Sequence, residues 1–271
     1  MVDAYLDESG IHDGAKMCVI AGYFGRSWQM EKLEKAWKKI LADFNFPMKD
    51  FHAKNLLKTK KYHPMLKELA RAVGQQKKVY PVTWAIVVDD FNSFSLEQRR
   101  FMTGATLDPK SRKLVTSGCP IKPYFVPFQQ VIKVVTDAAS IGSKAHFNFG
   151  IDKQFAEYAV TLFKQIIETT SKPRAFSTWK SRDRLGKALF PLASETAQLQ
   201  AADLLVHISY RMMDDWRTTG KTGQSPIFIY ELLEFCLANM RQKGDHVYQD
   251  KALLQQMITQ AKNYVPGWKD A

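Results

Sequence analysis

Cysteine is scarce. The chain of 271 residues has three, Cys18, Cys119 and Cys236, odd in number and far apart. That excludes a disulfide framework and a zinc knuckle, and favours a reducing compartment. Long hydrophobic runs are missing as well: no apolar stretch approaches spanning length. The first residues are acidic where a secretory signal would be basic. The expectation is a soluble, cytoplasmic protein with no membrane partner. Neither an internal repeat nor a low-complexity segment is present. Acidic residues are outnumbered by basic ones, 27 against 39, for a formal net charge of +12. A balance that positive suggests a polyanionic partner, most simply nucleic acid, either DNA or RNA; a soluble basic protein whose charge does only colloidal work is the other reading. Apolar residues make up 45%, enough for an ordinary core, so wholesale disorder is excluded. No break in composition divides the chain. It reads as a single domain over 1–271, with a core of about 2–215 and a helical C-terminal extension of about 226–265.

The most informative stretch is Val2-Asp3-Ala4-Tyr5-Leu6-Asp7-Glu8-Ser9-Gly10. Residues 2–6 have strand character and run into a turn-forming Asp-Glu-Ser-Gly. Side chains alternate along a strand, so Asp3 and Asp7 share one face and Glu8 takes the other. Carboxylates at the end of a buried strand need a positive partner, and Mg²⁺ or Mn²⁺ suits oxygen ligands. A plain acidic turn is the other reading.

Residues 16–24 form a second, nearly all-apolar strand, followed by an amphipathic helix to about 44 with Ser27 as its N-cap. Phe51-His52-Ala53 opens a short helical piece, and Pro64 opens another helix. Residues 77–89 are the longest strand candidate, with Pro81 placing its first part at an edge or bulge. Residues 104–123 read as a basic loop carrying Lys110, Arg112 and Lys113, near a substrate or simply solvated. A helix over 125–139 and a strand over 145–151 follow. Asp152 then repeats the position of Asp7, a carboxylate where a strand stops; alone it also reads as a helix N-cap. Residues 172–187 set Arg174, Lys180, Arg182 and Arg184 among Phe176 and Trp179, a composition suited to phosphates and bases or to a solvated rim. A last strand is expected over 189–193. Ser194 then caps a long helix whose apolar stripe includes Leu199, Ala202, Val206, Tyr210 and Met213. Asp203 falls in or beside that stripe and needs a partner, either a basic residue or a metal, with Gln200 and His207 at helical spacing from it. Two further helices are expected, over about 227–240 and 251–264.

On these residues the chain resembles the family called domain of unknown function 3800, regarded as ribonuclease H-like. The resemblance is carried by Tyr5-Leu6-Asp7-Glu8-Ser9-Gly10, by Phe51-His52-Ala53, by the strand-end Asp152, and by Ser194 with Leu199-Gln200-Ala201-Ala202-Asp203-Leu204-Leu205. It spans most of residues 2–210. It implies an α/β fold with a ribonuclease H-like mixed sheet flanked by helices. It also implies a metal-dependent phosphodiester hydrolase, a nuclease with a two-metal carboxylate site. Asp7, Asp152 and Asp203 would be ligands of Mg²⁺ or Mn²⁺, with Glu8 completing or supporting the set. His52 would position the scissile phosphate or assist proton transfer. The carboxylate usual on the first helix of that fold has no clear counterpart here. A catalytically inactive nucleic-acid-binding or regulatory module of the same fold is the competing class, and a hydrolase of a small phosphorylated molecule is a third.

Overall fold

The computed structural model describes residues 1–12, 14–107, 114–115, 120–150, 153–168, 181–219, 227–238, 245–249 and 251–264. In chain order these form β1 (Val2–Ser9), β2 (Met17–Arg26), α1 (Ser27–Asp43), α2 (Ala53–Leu56), α3 (His63–Gln75), β3 (Tyr80–Val87), α4 (Val88–Asn92) and α5 (Leu96–Met102). There follow β4 (Thr106–Leu107), β5 (Leu114–Val115), α6 (Phe125–Ala138), β6 (Ala145–Phe149), α7 (Lys153–Glu168) and β7 (Leu185–Leu189). The last are α8 (Ala197–Thr219), α9 (Ile227–Cys236), β8 (Asp245–Gln249) and α10 (Lys251–Tyr264).

The architecture is α/β: a mixed sheet of six strands in the order β7-β6-β1-β2-β3-β8, with helices on both faces. β1, β2 and β3 form an antiparallel meander, while β6 lies parallel to β1, β7 parallel to β6 and β8 parallel to β3. The period of two sorts each central strand onto two cores. Ala4, Leu6, Cys18 and Ile20 face a layer containing Phe125, Phe128, Val131 and Leu162 from α6 and α7, joined by Leu254 and Ile258 of α10. Met17, Val19, Ala21 and Tyr23 face the opposite layer, with Leu33 and Trp37 of α1, Leu66 and Leu69 of α3, and Ala201, Leu204 and Leu205 of α8.

Several expectations shift by a few residues, each for a local reason. β1 stays paired through Ser9, so Asp7, Glu8 and Ser9 belong to the strand and not to a turn. The turn begins at Gly10, whose φ of 79° an L side chain rarely adopts. Ser27 is the first helical residue of α1. Arg26 is the cap, and Gln29 Oε1 accepts the Arg26 N–H at 2.9 Å. Pro81 sits inside a strand paired on both sides, but the β8 ladder starts one residue later, at Val82, so the proline interrupts no bond to β8. The last strand of the central region is Leu185–Leu189, not 189–193. Residues Ala193–Glu195, including Ser194, form a 3₁₀ turn before α8 begins at Ala197. Within the expected loop at 104–123, β4 and β5 pair as a two-residue ribbon. The C-terminal part is not purely helical: β8 leaves the expected extension and completes the sheet beside β3.

α8 is the element that ties the second layer together. From Ala197 to Val206 every residue is buried. Its polar members are therefore obliged to find partners inside the protein. Gln200 accepts the Trp37 indole N–H at 3.1 Å and donates to the carbonyls of Met48, at 2.7 Å, and Ala193, at 3.2 Å. Gln198 donates to the Met30 carbonyl at 3.2 Å. Replacing Gln200 with Leu removes partners from a buried indole and two carbonyls at once. The expected cost is about 2–4 kcal/mol of stability, read from the midpoint of urea unfolding at unchanged slope.

Candidate functional site

The site lies where the C-terminal end of β1 meets α8. Asp7 and Ser9 point to the α8 side of the sheet, on the same face as Tyr5. Asp203 stands on α8 beside that strand end, and His207 follows one turn later on the same face of the helix. His52 is the residue immediately before α2, and Ala53, its neighbour, is fully buried against α8.

Asp203 is 6% exposed. Its Oδ1 lies 3.1 Å from His207 Nε2 and its Oδ2 accepts the Ala53 backbone N–H at 2.8 Å, with His52 Nδ1 3.6 Å from Oδ2. Burial acts to raise its pKa. The hydrogen bond from His207, the nearby His52 ring and the Ala53 N–H outweigh burial and hold the carboxyl down at about 2. It is therefore ionised at neutral pH. The same pairing raises His52 above the usual histidine value, against burial and the neighbouring charge of Lys54. His207 Nδ1 is 3.3 Å from Ser9 Oγ. An ionised carboxylate at Nε2 asks that nitrogen to carry the proton, which leaves Nδ1 to accept from the Ser9 hydroxyl. Both ring nitrogens of His207 thus have partners, and the residue holds α8 to the end of β1.

Asp7 has the opposite electrostatics. Burial pushes its carboxyl well above the ordinary range, the charges of Glu8 and Asp203 push it further, and the Glu8 N–H, donated at 2.9 Å, opposes them. Room for this carboxyl comes from Gly150, whose N–H donates to the Leu6 carbonyl at 2.8 Å. A Cβ at residue 150 would stand 2.8 Å from Asp7 Oδ1. Glu8 leaves the strand on the other face, where its charge adds to burial in raising the Cys18 thiol and the Tyr124 phenol. It nonetheless reaches the rim of the same cleft.

Of the residues singled out in the sequence, His52 and Asp203 contact each other, and Asp7 and Glu8 lie at the adjoining strand end, where the charge of Asp203 acts on Asp7. Asp152, Lys110, Arg112, Lys113, Arg174 and Lys180 lie outside the described residues. Arg182 and Arg184 do not join the cluster. They precede β7, in register with the start of β1, five residues or roughly 16 Å from Asp7 along the strands. Arg184 there donates to the Ala139 carbonyl at 2.7 Å. The cluster adds two residues to which the motifs alone assign no role, Ser9 and His207. Each has a signal in the sequence: Ser9 closes the acidic motif, and His207 is the i+4 neighbour of Asp203.

The cluster opens into a cleft of about 550 Å³ lined by Glu8, Ser9, His52, Lys54, Lys58, His207 and Arg211 among others. Ligand atoms of His52, Asp203 and His207 all lie within 4.8 Å of one another, an arrangement able to hold a metal ion. The donor chemistry fits a divalent cation in a second way: Asp7 is a desolvated carboxyl whose charged influences, Glu8 and Asp203, are both acidic. Carboxylate oxygens with imidazole nitrogen suit Mn²⁺ and other first-row ions, and the oxygens alone suit Mg²⁺. No helix among the described residues is long and apolar enough to cross a membrane. A scan against models of known protein families finds no match for the chain, and a search of curated proteins finds none either.

The two aspartates have opposite linkage. Asp203 has a folded-state pKa below its unfolded value, so its stabilising contribution is present above about pH 4 and disappears as pH falls towards 2. The loss should be about 2 kcal/mol between pH 5 and pH 2, absent in Asp203→Asn, by urea unfolding across pH. Asp7 has a folded-state pKa above its unfolded value, so it costs stability as pH rises above about 4. Metal-free Asp7→Asn should melt higher than the wild type at pH 7. Adding Mn²⁺ should raise the melting temperature of the wild type and leave that of Asp7→Asn nearly unchanged.

Proposed function

We propose that the protein is a metal-dependent phosphodiester hydrolase, a nuclease acting on DNA or RNA with Mg²⁺ or Mn²⁺, built on a ribonuclease H-like version of the α/β architecture. The observation that carries this reading is the buried Asp7 carboxyl within electrostatic reach of the ionised Asp203, which itself sits between two imidazoles able to share a metal ion. Two acids from opposite parts of the chain are held at one strand end, and the charges that act on Asp7 there are themselves acidic. The parallel β1–β6 pair supports it further, since Gly150, two residues before Asp152, already lies against Asp7. The net charge of +12 supports a polyanionic substrate.

In this reading Asp7 and Asp203 hold the cation, with Asp152 and Glu8 as further carboxylates and His52 as a nitrogen donor or proton carrier. A divalent ion held by these residues would supply Lewis-acid chemistry, activating water and offsetting charge on the phosphoryl group. The protein's own residues do the rest. Asp203 is kept ionised by Ala53, His52 and His207, so it is ready to bind a cation without first losing a proton. Burial and the neighbouring acids favour the protonated form of Asp7, and a cation held beside it would favour proton release, coupling the two. His52, 54% exposed in its side chain and raised in pKa, stands at the cleft wall, where its protonated ring faces an incoming phosphate and its Nδ1 stays on Asp203. His207 and Ser9 fix the position of Asp203 relative to β1.

One observation favours the competing reading of an inactive nucleic-acid-binding or regulatory module: both oxygens of Asp203 already have protein partners. The two readings separate in one experiment. Labelled single strands, duplexes and hybrids are incubated with the protein in Mn²⁺ and in EDTA. Cleavage should require Mn²⁺, and Asp203→Asn should reduce it by roughly a hundredfold or more with a native far-ultraviolet spectrum. Full activity in that variant would remove Asp203 from the mechanism, and Mn²⁺ binding by calorimetry with no turnover on any polymer would favour the inactive module.

A further inference from the structure

The cleft above the site has a lining of mixed sign. Glu8 and several basic side chains line it together, and His52 and His207 of its lining contact Asp203. Lys54 and Lys58 belong to the segment that includes α2, one turn apart, and both are exposed. Arg211 comes from α8, four residues beyond His207, and His12 from the connection between β1 and β2. Three separate stretches of chain thus bring cationic or imidazole side chains to one opening. Lys54 is close enough to His52 for its charge to act against protonation of that ring. Side chains one helical turn apart sit about 5–6 Å from each other, comparable with the distance between neighbouring phosphates of an extended strand. The basic wall stands where a polyanion would run on either side of a phosphate seated beside Asp203.

We propose that this cleft is the path of a single-stranded nucleic acid, with Lys54, Lys58 and Arg211 as its phosphate contacts. The inference rests on the hydrolase reading above for the position of the scissile phosphate, and adds the strand's route and its single-stranded form. Single-strandedness follows from the size of the cleft. Its walls come from three stretches of chain around a volume of about 550 Å³, and Asp203, 6% exposed, is bonded to His207 of that lining. One chain can thread such an opening, whereas a duplex needs an open face as broad as its grooves. The contacts assigned here differ from the basic segments at 104–123 and 172–187. They line the same cleft as His52 and His207, the two imidazoles that contact Asp203.

The test uses the full-length protein and fluorescence anisotropy with a labelled oligothymidylate, and the same strand annealed to its complement, in EDTA over a series of salt concentrations. The wild type should bind the single strand more tightly than the duplex. Lys54→Ala/Lys58→Ala should weaken single-strand binding by roughly tenfold or more at low salt. It should also reduce the slope of log affinity against log salt by about 1.4, or about 0.7 for each phosphate no longer neutralised. Arg211→Ala should reduce the slope by about 0.7. A Lys54→Glu/Lys58→Glu pair, with a native spectrum, should weaken binding further. Unchanged affinity and slope in the lysine pair, tighter binding to the duplex, or no binding by the wild type would each overturn the path. Cleavage of the same oligonucleotide in Mn²⁺ is scored separately. Binding that behaves as expected without any cleavage keeps the path and removes the hydrolase, while Mn²⁺-dependent cleavage with a lysine pair that binds like wild type keeps the hydrolase and removes the path.

Discussion

The architecture turns on one buried carboxylate. Asp203 lies in a helix otherwise buried from Ala197 to Val206, and an ionised group there is costly unless it is fully bonded. The protein meets that cost with the Ala53 N–H on one oxygen and His207 on the other, with His52 alongside. Those bonds fix three things together: the rotation of α8, the start of α2, and, through His207 and Ser9, the end of β1. Removing the partners would leave a charge in the core; removing the acid would leave α2 and β1 with weaker ties to α8.

Asp7 and Asp203 are neighbours with opposite electrostatic histories. One is surrounded by donors and stays charged, and the other is desolvated among acids and resists charge. This asymmetry is the physical content behind calling the place a site. Two equally satisfied acids would read as structure, and two equally frustrated ones would destabilise the fold. A single frustrated acid beside a satisfied one leaves room for a cation while the protein remains folded without it.

Much of the fold is legible from residues alone, because the strongest signals are local. The alternation through Val2–Ser9, the apolar run of Met17–Arg26 and the helical spacing of α3, α6 and α8 each specify an element without reference to partners. Asp203 stands out because a carboxylate in an apolar stripe is a conflict that something must resolve. What resolves it is not legible. His207 is visible as a helical neighbour, but its bond to Ser9 joins residues 198 positions apart. β8 escapes the sequence for a related reason: residues 245–249, Asp-His-Val-Tyr-Gln, carry little apolar pattern of their own, and their strand form comes from the open edge of β3. The extent of β7 is hard to place because an edge strand with Gly186 in it has weak alternation, and that glycine answers to the His146 ring, which a Cβ would strike.

The pairing of β1 with β6 has a consequence for how the protein comes into being. Its register joins Val2 to Ala145 and Leu6 to Phe149, so β1 waits until α6 has been made before its second neighbour exists. α8, which carries Asp203, arrives later still. Until then the strand end has neither Gly150 beside Asp7 nor the imidazoles that steady its partner acid. The nascent protein therefore passes through a long interval with an exposed β1 edge and no assembled chemistry, and long-range closure of this kind is slow. Competence at the strand end is a late event, gained only when the two distant halves of the polypeptide have met.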